Sequence, residues 1–443
     1  MKRISTATPA GFSTTLGWKN RVLLIMSCVI ILGGLAVRSK ACPLCLAPSQ
    51  TWAEMVTEAD IVLLGEMVSN DEGSSQKTPF SLVKVLKIHK GDKLISAGKV
   101  VRIDEFIFAE PGDFVLLKGS LQDARAAEFT ETFASDVPNS DVPNPESATK
   151  IQKVSATVVE SDSPKVLHWD FYEQCTLAGF EYLTTAPSLE QEPQTRLKFF
   201  IPFLEHHDAL VAADAWGEFA NAEYEDIKAI SQAFSTADLR QWISDPDAEP
   251  ERRGLYGLML GMCGAPVDME FLWQQIGQPN PDEIRFGSEG LMGGFLVLSP
   301  EHGLQFLEES WLNNPKATAF DLLPVIKALQ FAWTYEAECF EKERLRAALR
   351  PLLKREELRE IVIPDLARWE DWNAVSLMLG VYEASQAEDP RTVLALANFL
   401  VLCRQSAGDA EATDNSVAAR DLLEVIRKDN ARIVRMAEAE FAE

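Results

Sequence analysis

The chain has 443 residues, 47% hydrophobic and 25% charged, with a formal net charge of −25 at pH 7. This is ordinary globular composition in a chain long enough for two or three cores. So acidic a field repels a phosphate backbone, which argues against nucleic acid as a partner, and solubility is the plain explanation for the charge.

Residues 1–41 hold six Lys or Arg and no acid, and Val22 to Val37 runs sixteen residues without a charge. A bilayer span needs roughly 20 residues, and Ser39-Lys40-Ala41 puts small residues where a signal peptidase cuts. The leader therefore predicts export, periplasmic or secreted, with cleavage before Cys42. The alternative is membrane attachment through an uncleaved helix at residues 22–37. With six of the 42 basic residues removed, 36 face 67 acids, a formal −31.

"KACPLCLAPSQ" (40–50) places Cys42 and Cys45 three apart at that junction. Three readings compete: a thiol redox pair, half a zinc site, or disulfide anchors. A thioredoxin-like pair needs a preceding strand and a helix head, and only the leader precedes Cys42. A zinc site would have to enlist His89 or His168 from far away. A structural disulfide, between the two or from one of them to Cys175, is favoured in an exported chain.

Strand patterns follow at 59–68, 80–91, 99–108 and 111–120, rich in Val, Ile, Leu and Phe and punctuated by turns. Residues 121–164 are acidic and Ser/Pro-rich, with the tandem "SDVPNSDVPN" (135–144), and predict a disordered insertion. "KVLHWDFY" (165–172) predicts a fifth strand, completing a small barrel formed by 42–120 plus 165–174.

From 175 to 443 the pattern is helical. In 196–220 two apolar sets at i, i+3, i+4 and i+7 flank one turn, where Asp208 is placed to cap the second helix and Pro202 to interrupt the first. Further helices are expected at 252–263, 267–277, 302–311, 319–335, 341–351, 371–386, 390–404 and 416–440. Helix pairs in series that each bury one face are stable when stacked, as in an α-solenoid.

Other motifs read as structure. "HHD" (206–208) is a solvated turn, and "GSEGLMGG" (287–294) lacks the Lys-Ser/Thr ending of a phosphate loop and, like Gly254, Gly257 and Gly261, reads as a helix-packing face. "DPDAE" (245–249) lacks the Gly and Glu of a calcium loop. "RWEDW" (368–372) predicts core aromatics with charges outside. Cys263, Cys339 and Cys403, set in apolar helical stretches, are expected as buried free thiols.

Three resemblances add to this. "FIPFLEHHDALVAADAW" resembles a HEAT repeat, a helix containing proline followed by an aspartate turn and a Val-led second helix. With "CPLC", "EADIVLLGE", "RRGLYGLMLGMCG" and "VIPDLARWEDW", the chain also looks like exported bacterial proteins that join a CPxC-type start to helical repeats. Cys42 to Cys45, Ala59 to Gly65, Val83 to Gly91 and Phe114 to Gly119 resemble the netrin-like, OB-type barrels of tissue inhibitors of metalloproteinases, with C-x-x-C where that family has C-x-C. That resemblance implies a regulator whose mature N-terminal Cys42 grips a protease's zinc.

The fold expected is α+β and multidomain: a five-stranded OB or netrin-like barrel, then a HEAT-like α-solenoid. The function expected is non-catalytic protein binding on the solenoid surface, with no cofactor and no metal. A metalloprotease regulator acting through Cys42 and a redox protein using Cys42 and Cys45 are the alternatives.

Overall fold

The computed structural model describes residues 42–44, 50–73, 78–123, 165–280, 286–385, 389–406 and 413–442. The leader, Cys45 and the insertion from 124 to 164 lie outside the described residues. The described residues belong to one compact unit.

The chain enters through a short helix, α1 (Trp52–Glu58), and then builds an antiparallel sheet. Its strands are β1 (Ile61–Asp71), β2 (Phe80–Lys90), β3 (Val100–Ile103), β4 (Phe114–Asp123) and β5 (Lys165–Gln174), in the order β3-β2-β1-β4-β5. β4 extends three residues into the segment expected as insertion. β3 ends at Ile103, earlier than expected, and just past it Asp104 accepts from Arg102 Nε at 2.6 Å.

The run "IVLL" lacks polar alternation because both faces of β1 are covered. Ile61, Leu63 and Met67 face one cluster with Val83, Val101, Val115 and Leu117, so one face of the sheet encloses its own core. Val62, Leu64 and Leu116 face the other way and join the large core of the helices. Sheet and helical region thus share buried surface rather than being joined by a linker. Gly65 allows β2 to approach: a Cβ there would lie 2.2 Å from Val83 Cγ1.

Sixteen α-helices are present among the described residues. After β5 come α2 (Leu177–Thr185), α3 (Pro193–Phe200), α4 (Ala209–Ala220), α5 (Tyr224–Ala229) and α6 (Thr236–Ser244). Then follow α7 (Arg252–Cys263), α8 (Pro266–Ile276), α9 (Ser288–Leu298), α10 (Pro300–Leu307) and α11 (Ala319–Tyr335). The last are α12 (Lys342–Leu349), α13 (Arg359–Arg368), α14 (Val375–Ser385), α15 (Pro390–Gln405) and α16 (Asp414–Glu440).

Local chemistry sets several boundaries. Pro202 turns the end of α3 into a 3₁₀ turn, and Asp208 caps α4 by accepting from Leu210 N. α7 packs on α9, α9 on α11, and α13 on α15, so much of the stacking joins each helix to the next but one.

The α7–α9 crossing is a backbone contact. A Cβ on Gly294 would lie 2.0 Å from Gly257 O, one on Gly290 2.2 Å from Gly254 O, and one on Gly261 2.3 Å from Gly294 O. Gly287, ahead of α9, has φ +76, which glycine adopts without strain. The two glycine clusters of the sequence are the two sides of one interface.

Two expectations need correction. Cys263, Cys339 and Cys403 are free thiols, but only Cys403 is buried and Cys339 is exposed. In "RWEDW" Trp369 is core as expected, yet Asp371 is also buried, because Arg350 reaches in with Nε at 2.7 Å and Nη2 at 2.5 Å from its carboxylate.

Candidate functional site

The segment Cys42–Leu44 is laid against the helices. Cys42 is 4% exposed and its N–H donates to Ala220 O, at the end of α4, at 2.8 Å. Leu44 sits over Gly293 of α9, where a Cβ would come within 2.4 Å of its Cδ1. Leu44 thereby forms one wall of a groove.

That groove follows α11. Phe320, Leu323, Pro324, Lys327 and Gln330 recur at helical spacing and line a cavity of about 400 Å³ with Leu44, Phe286, Glu289 and Ile361. Phe286, Phe320 and Ile361 stay substantially exposed. Leu44, Glu289, Lys327 and Gln330 also line an adjoining cavity of about 390 Å³, which continues along α11 to Phe331, Thr334 and Tyr335 and to Arg368. Ile326 is buried beneath the same cavity, and the opposite face of α11, with Leu322, Val325 and Leu329, is core.

The charged groups at the rim lean outward. Lys327 Nζ is 3.6 Å from Glu289, and Arg368 Nη1 donates to Asp365 at 2.7 Å. In each pair the carboxylate is the more buried partner and the cation meets solvent. Asp365 also accepts from Gln330 Nε2 at 2.6 Å, which fixes the groove floor, and burial raises its pKa.

A second feature is the buried joint between α1 and α4. Thr51 caps α1 in a capping box with Glu54. Trp52 N donates to Asp214 Oδ1 at 2.6 Å and the Tyr182 hydroxyl to Oδ2 at 2.7 Å. One turn further along α4, Glu218 pairs with Arg196 at 2.6 Å. Burial pushes Asp214 up to about 6 against the hydrogen bonds from Trp52 and Tyr182. It pushes Glu218 up to about 7 against the attraction of Arg196.

A third is the loop after β3. Phe108 is 89% exposed and meets Phe106 edge-on, ring centroids 5.1 Å apart. Beneath them Ser81 Oγ donates to Glu105 O and accepts from Ile107 N, while Asn70 Nδ2 donates to the carbonyls of Ile107 and Ala109.

The cysteines expected to act together are placed as follows. Cys42 is not a free thiol and does not titrate. Cys175 is a free, buried thiol, so no disulfide ties the N-terminal segment to it; burial, with Asp208 and Glu173 nearby, pushes it up to about 12. Cys45 lies outside the described residues. His206 and His207 lie with ring centroids 4.1 Å apart, tilted by 40°, in the turn ahead of α4, and His206 Nδ1 accepts from Asp208 N. Among the described residues no cluster of His, Cys, Asp or Glu is arranged to hold a metal ion, and no helix is long and apolar enough to cross a membrane.

No protein-family model, curated protein or solved structure matches the chain.

Sequence reasoning missed the groove and the joint. Both left a signal. α11, "AFDLLPVIKALQFAWTY", is apolar around most of its circumference, which marks a helix covered on more than one side. In α4, Asp214 and Glu218 stand i, i+4 among residues that are otherwise core, and acids there need buried partners.

Proposed function

We propose that this is an exported, non-catalytic binding protein that takes an apolar segment of a protein partner into the groove along α11. The observation that carries this reading is the groove itself: an apolar cavity with exposed Phe286, Phe320 and Ile361 at its mouth, continued along α11 by a more polar cavity that shares Leu44, Glu289, Lys327 and Gln330 with it. Exposed apolar surface concentrated in a concavity is characteristic of recognition sites. The Phe106–Phe108 loop is the second contact.

The next-but-one stacking of α7, α9 and α11 supports a HEAT-like solenoid, whose side is a usual place for such a groove. The strand order β3-β2-β1-β4-β5 and the core enclosed by one face support an OB-type barrel closing between β3 and β5. The basic leader supports export, and Cys42 is best paired with Cys45.

Non-catalytic action is supported by the thiols: burial raises Cys263 and Cys403 to about 11, leaving them protonated and weakly nucleophilic at neutral pH. The geometry weighs against the protease-regulator reading, because the Cys42 nitrogen is buried and already bonded to Ala220 O.

A photo-cross-linking residue at position 320 tests the reading in the native cells. It is expected to capture one protein that the same residue at exposed Val425 does not, and Phe320→Glu is expected to weaken that purified partner's binding at least about tenfold. Equal capture from both positions, or unchanged affinity, would refute it.

A further inference from the structure

The α1–α4 joint holds two carboxylates and one matching cation. Asp214 and Glu218 lie one turn apart on α4, both more than nine-tenths buried, and Arg196 of α3 is ion-paired with Glu218 at 2.6 Å. Glu218 Oε1 is buried without a hydrogen bond of ordinary geometry, and the Thr51 hydroxyl beside Glu218 favours its ionised form only in part, so ionisation leaves an acceptor less well solvated than water would make it.

The surrounding groups do not supply the missing positive charge. From α1 the pair meets the Thr51 hydroxyl, Trp52 N and the carboxylate of Glu54, and from α2 the Tyr182 hydroxyl. From the sheet, Lys118, Asp170 and Glu173 line the same cleft as Asp214. The one cation among them, Lys118, has Glu58 at 3.9 Å.

We propose that the joint is operated by a proton: with a proton on the Asp214–Glu218 pair the segment 50–58 is seated on α4, and its loss as the pH rises toward neutrality loosens that segment. The physical reason is linkage. When α1 lifts, both carboxylates meet water and release the proton that the closed joint retains, so opening becomes easier as pH rises through the interval between their solvated and buried affinities. Two like charges one turn apart titrate as a pair, so the proton belongs to both. The inference does not depend on the groove: it concerns α1 and α4 and holds whatever α11 binds.

Hydrogen exchange of the full chain, with protection of 50–58 corrected for intrinsic rates, tests it at pH 5 and pH 7.5. Trp52 N–H, held by Asp214, is the direct reporter. Opening is expected to be at least about tenfold more frequent at the higher pH, since one linked proton contributes a factor of ten per pH unit. A peptide from α15 (390–405) serves as the control and should change little. Glu218→Gln should reduce the change at least about fivefold, to the roughly tenfold that Asp214 alone contributes, and Asp214→Asn with Glu218→Gln should abolish it. Equal protection of 50–58 in the wild-type protein at the two pH values overturns the proposal without any variant. An undiminished pH response in Glu218→Gln, or an equal change in α15, also overturns it.

Discussion

The two sides of α9 are finished in opposite ways. Against α7 it is sealed by backbone: glycines interlock so closely that no Cβ fits between Gly294 and Gly257. Toward α11 it is held off by side chains, with Leu44 over Gly293 and Phe286 near its start, and a groove remains. Residue size at adjacent positions of one helix therefore decides whether an interface closes into scaffold or stays open as a surface. The α1–α4 contact is a third solution, closed by charged groups that must first be desolvated.

The largest expected effect lies on the sealed side. Gly294→Ala forces a methyl into Gly257 O at 2.0 Å, and urea unfolding should show a loss of about 3 kcal/mol or more. If it is tolerated, the backbone seal is not what holds α7 to α9.

Next in size is the charged contact. The folded-state pKa values of Asp214 and Glu218, about 6 and about 7, lie above their ordinary values of 3.8 and 4.5. Their contribution is fully present below about pH 4 and is lost as pH rises through 6 to 7. Glu218→Gln should flatten that fall, by about 2 kcal/mol between pH 4.5 and 7.5 in denaturant titrations. The seal between α7 and α9, made of uncharged backbone, should contribute no such slope.

Smaller still is Gly293→Ala, one residue from the most severe substitution. Its new methyl clashes only with the end of the Leu44 side chain, a flexible group beside the groove, and meets the Phe331 ring at an ordinary contact distance of 3.5 Å, so the loss should stay below about 1 kcal/mol. A loss equal to that of Gly294→Ala would erase the distinction between the two sides. Smallest is Phe320→Ser at the groove mouth, expected within about 0.5 kcal/mol of wild type by thermal unfolding.

Local patterns carried much of the architecture. The Val- and Ile-rich runs located all five strands, and the periodicity of 252–263 and 319–335 matches α7 and α11. Asp208 as a cap, Pro202 as an interruption and the glycines as a packing face were also legible, because each acts on its immediate neighbours. α1 was hidden: its seven residues are held by the Thr51–Glu54 capping box and by Asp214, a residue 162 positions away. Asp371 misled for the same reason, since the partner that permits its burial, Arg350, lies 21 residues earlier. The groove depends on Leu44, Phe286, Phe320 and Ile361 meeting in space, and no window of sequence contains that meeting.

The clamp beneath Phe108 has a consequence for rates. Ser81 and Asn70 fix the carbonyls and amide of 105–109 when the sheet folds, so the loop's conformational entropy is already lost before any encounter. A partner covering that ring therefore meets a rigid projection and has no loop to order on contact. Loosening the clamp with Ser81→Ala would leave the aromatic surface intact while slowing productive docking.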